Sequence, residues 1–103
     1  MEIEKGFYYH YKHDPAGSMN NYAYEIVGVS RHSEDKSASV VYRPLYKNTY
    51  LDGFDFCNRP YDMFLESVEK EGKPVPRFQK ITDSDTIQKL ERIREEMYGK
   101  DSL

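Results

Sequence analysis

Residues 22–46, YAYEIVGVSRHSEDKSASVVYRPLY, decide the fold. Two runs rich in Val, Ile and Tyr, 22–30 and 38–46, flank a polar connection, RHSEDKS at 31–37, and together they read as an antiparallel hairpin. In the first run Tyr24, Ile26 and Gly28 alternate with Glu25, Val27 and Val29, so apolar residues stand on both faces, as in a central strand. Gly28 marks a bulge or a close backbone approach. In the second run Val41, Arg43 and Leu45 share one face, and Val40, Tyr42 and Pro44 the other. Arg43 interrupts an apolar face, and a guanidinium placed there requires a carboxylate, bidentate where the geometry allows. Glu25 on the adjoining strand and Glu34 in the connection are the candidates.

Outward from the hairpin, GFYYHYKH (6–13) reads as a first strand, and DPAGSMNN (14–21) as turn chemistry almost throughout. KNTYLDGFDF (47–56) holds a turn at Asp52-Gly53, a dipeptide favoured in tight hairpins. Arg59-Pro60 repeats the Arg-Pro pair of 43–44, with Asp62 and Glu66 nearby as partners, and reads as a bend. A strand over Phe64–Glu69 follows, ended by a turn at Glu71-Gly72; Pro74 and Pro76 keep the next segment out of regular structure. From Asp83 the period becomes helical: Ile87, Leu90, Ile93 and Met97 line one side, Asp83 or Ser84 caps the start and Gly99 suits the end. This divides the chain into a β domain, 1–82, and a C-terminal helix, 83–103, that packs on the β domain or on a partner. Short antiparallel strands at this spacing, then one amphipathic helix, predict a mainly β protein built as a small barrel or roll.

The chain has 103 residues and a net charge of −3, with acidic and basic groups spread evenly, which argues against strong binding of duplex DNA. No run approaches transmembrane length, and the N-terminal residues lack a signal-like apolar stretch, so a cytoplasmic location without membrane association is expected. One cysteine, Cys57, excludes an internal disulfide and a cysteine-based zinc site. There are ten Tyr, five Phe and no Trp, which predicts a core of rings whose polar tips reach the surface in places.

GFYYHYK, YEIVGVSRHSE, VVYRPLY, RPYDMF and VPRF occur in the order and spacing of the domain-of-unknown-function 1653 family, a set of small bacterial proteins, and the chain resembles that family over about residues 6–78. The resemblance implies an SH3-like small β-barrel and carries no established activity. A tryptophan that the family places shortly before the second Arg-Pro is replaced here by Phe54, Phe56 and Cys57. The helix from Asp83 lies outside the resemblance.

No arrangement of residues spells out catalysis. His10 and His13 stand three apart, a spacing that sends them to opposite faces of a strand and makes them a poor metal clamp. His32, Ser33 and Glu34 are adjacent, whereas triad members meet through the fold. No metal and no cofactor is expected. The reading that remains is a binding module with a shallow aromatic and arginine face. Tyr8, His10, His32, Glu34, Tyr42, Arg43 and Arg59 are its candidate residues, and a peptide, a nucleotide or a short single strand is its ligand. The alternative for both arginines is a scaffold ion pair. The alternative for the whole protein is an interaction surface on an edge strand or on the Ile87, Leu90, Ile93 and Met97 stripe, for a protein partner or a dimer.

Overall fold

The computed structural model describes residues 3–49 and 51–100. Strands β1 (Gly6–His10), β2 (Ala23–Arg31), β3 (Ala38–Pro44), β4 (Cys57–Pro60) and β7 (Phe78–Lys80) build one antiparallel sheet in the order β4-β3-β2-β1-β7. Strands β5 (Ser67–Lys70) and β6 (Lys73–Pro76) pair separately, a short helical turn α1 (Tyr61–Phe64) precedes them, and α2 (Ser84–Tyr98) closes the fold. The protein is mainly β, and its ladder is open: β4 and β7 end the sheet and do not pair with each other. Among the described residues no helix is long and apolar enough to cross a membrane.

The β2–β3 hairpin lies at the centre, as its apolar residues on both faces require. Its register slips between Ile26 and Gly28, so Val27 is a bulged extra residue. Beyond the slip Val29 stands opposite Val40, and the alternation read from Tyr24 through Ile26 reverses. Three segments differ from expectation. Arg59-Pro60 is not a bend but the end of edge strand β4, where proline is tolerated because its missing N–H can face outward. Phe64 closes the α1 turn, and the strand expected from that residue starts at Ser67. Pro74 and Pro76 lie within β6. The left-handed pair Glu71 and Gly72 closes a two-residue hairpin at Lys70–Lys73, which puts both prolines at positions that donate no ladder bond.

The sheet is covered on both sides. On one face Tyr8, Tyr24, Ile26, Val40, Tyr42 and Phe78 pack with Phe64 from α1. On the other Phe7, Ala23, Leu45 and Ile81 pack with Leu90 from α2, and Ile87 and Ile93 join them. The Asp83 carboxylate caps α2 by accepting from the Thr86 amide at 2.9 Å. Of the four stripe residues, only Met97 is exposed. The helix therefore docks on the sheet, and a partner or second copy using that stripe would have to displace it.

Between sheet and helix lies a charge network in which Arg43 is buried and Glu25 and Arg94 are partly buried. Phe7, Glu25 and Arg43 are direct cross-strand neighbours. Arg43 Nε donates to Glu25 Oε1 at 2.8 Å, and Arg94 Nε of α2 donates to the other oxygen. The Arg43 guanidinium lies 4.1 Å from the ring centre of Tyr98 and 5.3 Å from that of Phe56, and is 3% exposed as a residue. The Tyr98 hydroxyl donates to the Pro44 carbonyl, so the helix end is tied to the same strand. Removing one partner from a buried pair leaves a charge without compensation. Glu25→Gln is expected to lower the unfolding free energy by about 3–5 kcal/mol in a denaturant titration, and Arg94→Met by less, because Arg43 keeps its carboxylate. A change of less than about 0.5 kcal/mol for Glu25→Gln would show that the network is not what seats the helix.

Candidate functional site

The face opposite α2 carries the chemistry. Tyr8 and His10 are two apart on β1, Tyr24 and Tyr42 come from β2 and β3, and Phe78 of β7 stands opposite His10. Arg59 of β4 stands opposite Val40 and so enters the same face. Phe78 is the ring on which the others meet. It stacks on Phe64 at 4.4 Å, nearly parallel, and meets Tyr24 and Tyr42 edge-on at 5.8 and 5.7 Å. His10 is edge-on to it at 5.1 Å, and the Arg59 guanidinium lies 5.8 Å from its centre. Arg59 and Phe78 come from the two end strands of the sheet, so the sheet curls far enough for its ends to meet through side chains.

The electrostatics are one-sided. The Arg59 Nε atom is buried and makes no hydrogen bond, and neither does that of Arg77. Asp62 and Glu66, the expected partners of Arg59, form no ion pair with it; Glu66 instead stands 3.8 Å from Arg77 and is itself half-exposed. Burial raises the Tyr42 phenol above its ordinary value, and a hydrogen bond from Arg59 works against that rise. The His10 imidazole is lowered to about 4, first by burial and then by the positive charges of Arg59, Lys12 and Arg77. Its Nδ1 accepts from the Lys12 amide at 3.2 Å, which places the proton of the neutral ring on Nε2.

Rings also form a rim. Tyr22, 37% exposed, holds a left-handed backbone at φ 53, a conformation that costs a bulky residue energy and is kept only where the surroundings demand it. Its ring runs nearly parallel to that of His10 at 5.8 Å and lies 5.7 Å from that of Tyr46. The Tyr46 hydroxyl is hydrogen-bonded to that of Tyr24. Such a surface has a ring floor, an aromatic rim, an Arg59 that forms no ion pair among the described residues and an Arg77 paired at 3.8 Å with the half-exposed Glu66. It can hold a flat group and a negative charge together.

The candidate residues from the sequence divide. Tyr8, His10, Tyr42 and Arg59 share this face; Tyr8 and Tyr42 are buried floor, and the Tyr8 hydroxyl donates to the Glu4 carbonyl at 2.9 Å. Arg43 does not share it: strand alternation sends its side chain to the α2 side, into the scaffold pair with Glu25. His32 and Glu34 lie in the exposed β2–β3 turn, where the Glu34 amide donates to His32 Nδ1, and Glu34 forms no ion pair with Arg43. His13 stacks on Tyr9 at 3.6 Å and bonds the Asn21 carbonyl. Among the described residues no group of His, Cys, Asp or Glu is arranged to hold a metal ion. Tyr22, Tyr46 and Phe78 belong to the site without having been singled out. The juxtaposition of Arg77 and Phe78 in VPRF was the available signal.

The profile of the family described as a protein of unknown function (DUF1653) matches residues 6–80. A crystal structure of a protein of that family from Bordetella bronchiseptica is similar to this chain, at 28% identity and a TM-score of 0.61, covering 81% of this chain and 96% of that one. No curated protein matches the chain.

Because the folded chain holds His10 below its ordinary 6.5, the unfolded chain binds more protons between about pH 6.5 and 4. Stability from this residue is present in full above that window and is lost as pH falls through it. In an NMR titration Arg59→Gln should move the His10 midpoint upward from about 4 by removing a repelling charge, yet leave it below 6.5, because burial is the larger cause. An unmoved midpoint would separate the two side chains electrostatically.

Proposed function

We propose a function from the site itself, because the chain belongs to the DUF1653 family, whose description is a protein of unknown function. The protein is a small binding module, and its working surface is the aromatic face that carries His10 and Arg59. The curled sheet whose end strands meet through Arg59 and Phe78 is the core of an SH3-like roll, an architecture that serves many ligands and selects none by itself. The observation that carries the reading is Arg59 lying 5.8 Å from the Phe78 ring beside His10 without an ion pair among the described residues, with Arg77 and Lys12 adding positive charge around the imidazole, in a chain whose net charge is negative. A half-buried guanidinium without a carboxylate costs stability that packing alone does not return. An anionic ligand supplies the missing partner.

The competing reading, an interaction protein working through the α2 stripe, loses its support where Leu90 is fully buried against the sheet. The enzymatic reading is not favoured by His10, whose imidazole, lowered to about 4, lies well below the pH at which a general base works best.

Arg59→Gln and Arg43→Met separate the roles of the two Arg-Pro arginines. Amide spectra titrated with pooled 5′-mononucleotides, short single strands and acidic peptides should show shifts around His10, Tyr22, Tyr42 and Arg59 in the parent chain. Arg59→Gln should abolish those shifts and change the unfolding free energy by less than about 1 kcal/mol, whereas Arg43→Met should change stability much more. Shifts that survive Arg59→Gln, or none with any probe, would remove this face from consideration.

A further inference from the structure

Resting on that reading, we infer that the face takes a nucleoside phosphate unit, its base stacked on the exposed ring of Tyr22 and its phosphate held by Arg59 and Arg77. The ligand chemistry follows from what the two ends of the site offer. At one end are two guanidiniums, the donor that best matches the oxygens of a phosphate: among the described residues Arg59 forms no ion pair, and Arg77 has one at 3.8 Å with the half-exposed Glu66. Lys12 adds a third positive charge close enough to depress His10. A single carboxylate on a peptide would leave most of this charge unmatched. A phosphate carries more charge and more acceptor oxygens.

At the other end the rim is aromatic and preoriented. Tyr22 is exposed, yet a strained left-handed backbone fixes its ring nearly parallel to His10 and beside Tyr46. The backbone is held there by the pairing of β1 with the start of β2, where the His10 amide donates to the Tyr22 carbonyl at 3.0 Å. A ring fixed at a cationic margin is the platform on which bases stack irrespective of sequence. A peptide docking by strand addition would use backbone edges. Here the features that stand out are rings and guanidiniums.

The phosphate unit has two sources with the same chemistry, a free nucleotide or a residue of a single strand, and the test tells them apart. Isothermal titration and amide NMR would use 5′-AMP, adenosine, inorganic phosphate, a single-stranded tetranucleotide and an acidic tetrapeptide, at 20 and 200 mM salt. The expected result is that 5′-AMP shifts His10, Tyr22 and Tyr46 and binds at least ten-fold tighter than adenosine or phosphate alone. Tyr22→Asn, which tolerates the left-handed backbone and keeps the fold, should weaken 5′-AMP by about ten-fold or more. A tetranucleotide binding tighter than 5′-AMP, with a steep loss at high salt, assigns the site to a strand; equal or weaker binding assigns it to free nucleotide. If the acidic peptide shifts these residues and 5′-AMP does not, or if phosphate alone binds as tightly as 5′-AMP, the nucleotide assignment is overturned while the anion-binding reading stands. Silence from every probe overturns both.

Discussion

Glu25 holds the architecture in place. Its two oxygens take Arg43 from the neighbouring strand and Arg94 from α2, so one carboxylate joins the centre of the sheet to the helix that covers it. A charge buried at such an interface is tolerated only with its partners present, which makes the position of α2 a consequence of side chains on β2 and β3. The stacking of Arg43 between Tyr98 and Phe56, and the bond from Tyr98 to the Pro44 carbonyl, fix the helix end to the same place. With one face of the sheet committed in this way, only the opposite face is free to differ in purpose.

That face shows the reverse balance. On the α2 side two arginines share one partly buried carboxylate, and rings fill the space around them. On the α1 side Arg59 lies over Phe78 and forms no ion pair among the described residues, while Arg77 pairs at 3.8 Å with the half-exposed Glu66. Both arginines that precede a proline therefore sit on aromatic rings, and they differ in whether the protein itself neutralises them. The difference is physical, and it separates scaffold from site more sharply than residue type does. His10 registers it directly, since three surrounding cations add to burial in keeping the ring uncharged.

Much of this was legible in the order of residues. The hairpin at 22–46, the turn at Glu71-Gly72 and the helix from Asp83 follow from period, turn chemistry and capping, and the bulge read at Gly28 falls one residue earlier, at Val27. So did the pairing of Arg43 with Glu25, since the two were placed on adjoining strands. The prolines misled. Pro60, Pro74 and Pro76 read as breaks, but each lies in an edge or two-stranded pairing that needs no N–H at that place. The site was half legible for a related reason. Alternation along β3 separates Tyr42 from Arg43, yet the two had been grouped because they are adjacent in sequence. Tyr22 and Phe78 were hidden by distance along the chain: what brings them to His10 is strand pairing, which sets Phe78 opposite His10 on β7 and bonds the His10 amide to the Tyr22 carbonyl, and neither leaves a mark on periodicity.

The tyrosine content gains its explanation from the same division. A thin sheet covered on both sides needs large rings to fill its cores, and phenylalanine would serve where no water reaches. Tyrosine is required where a ring buried at its base must end in a polar environment. Tyr8 ends on the Glu4 carbonyl, Tyr9 on that of Met19, and Tyr98 on that of Pro44, so these hydroxyls tie loops and termini to the sheet. Tyr24 and Tyr46 instead bond each other beside Tyr22, and Tyr42 turns toward Arg59. Hydroxyls spent on backbone carbonyls mark scaffold. Those directed to one another and to an uncompensated guanidinium mark the surface where the protein leaves bonding capacity for something else. By that criterion the tyrosines, like the arginines, divide between holding the fold and presenting a site, and Tyr8, whose hydroxyl goes to the Glu4 carbonyl, is the part of the site face that serves the fold.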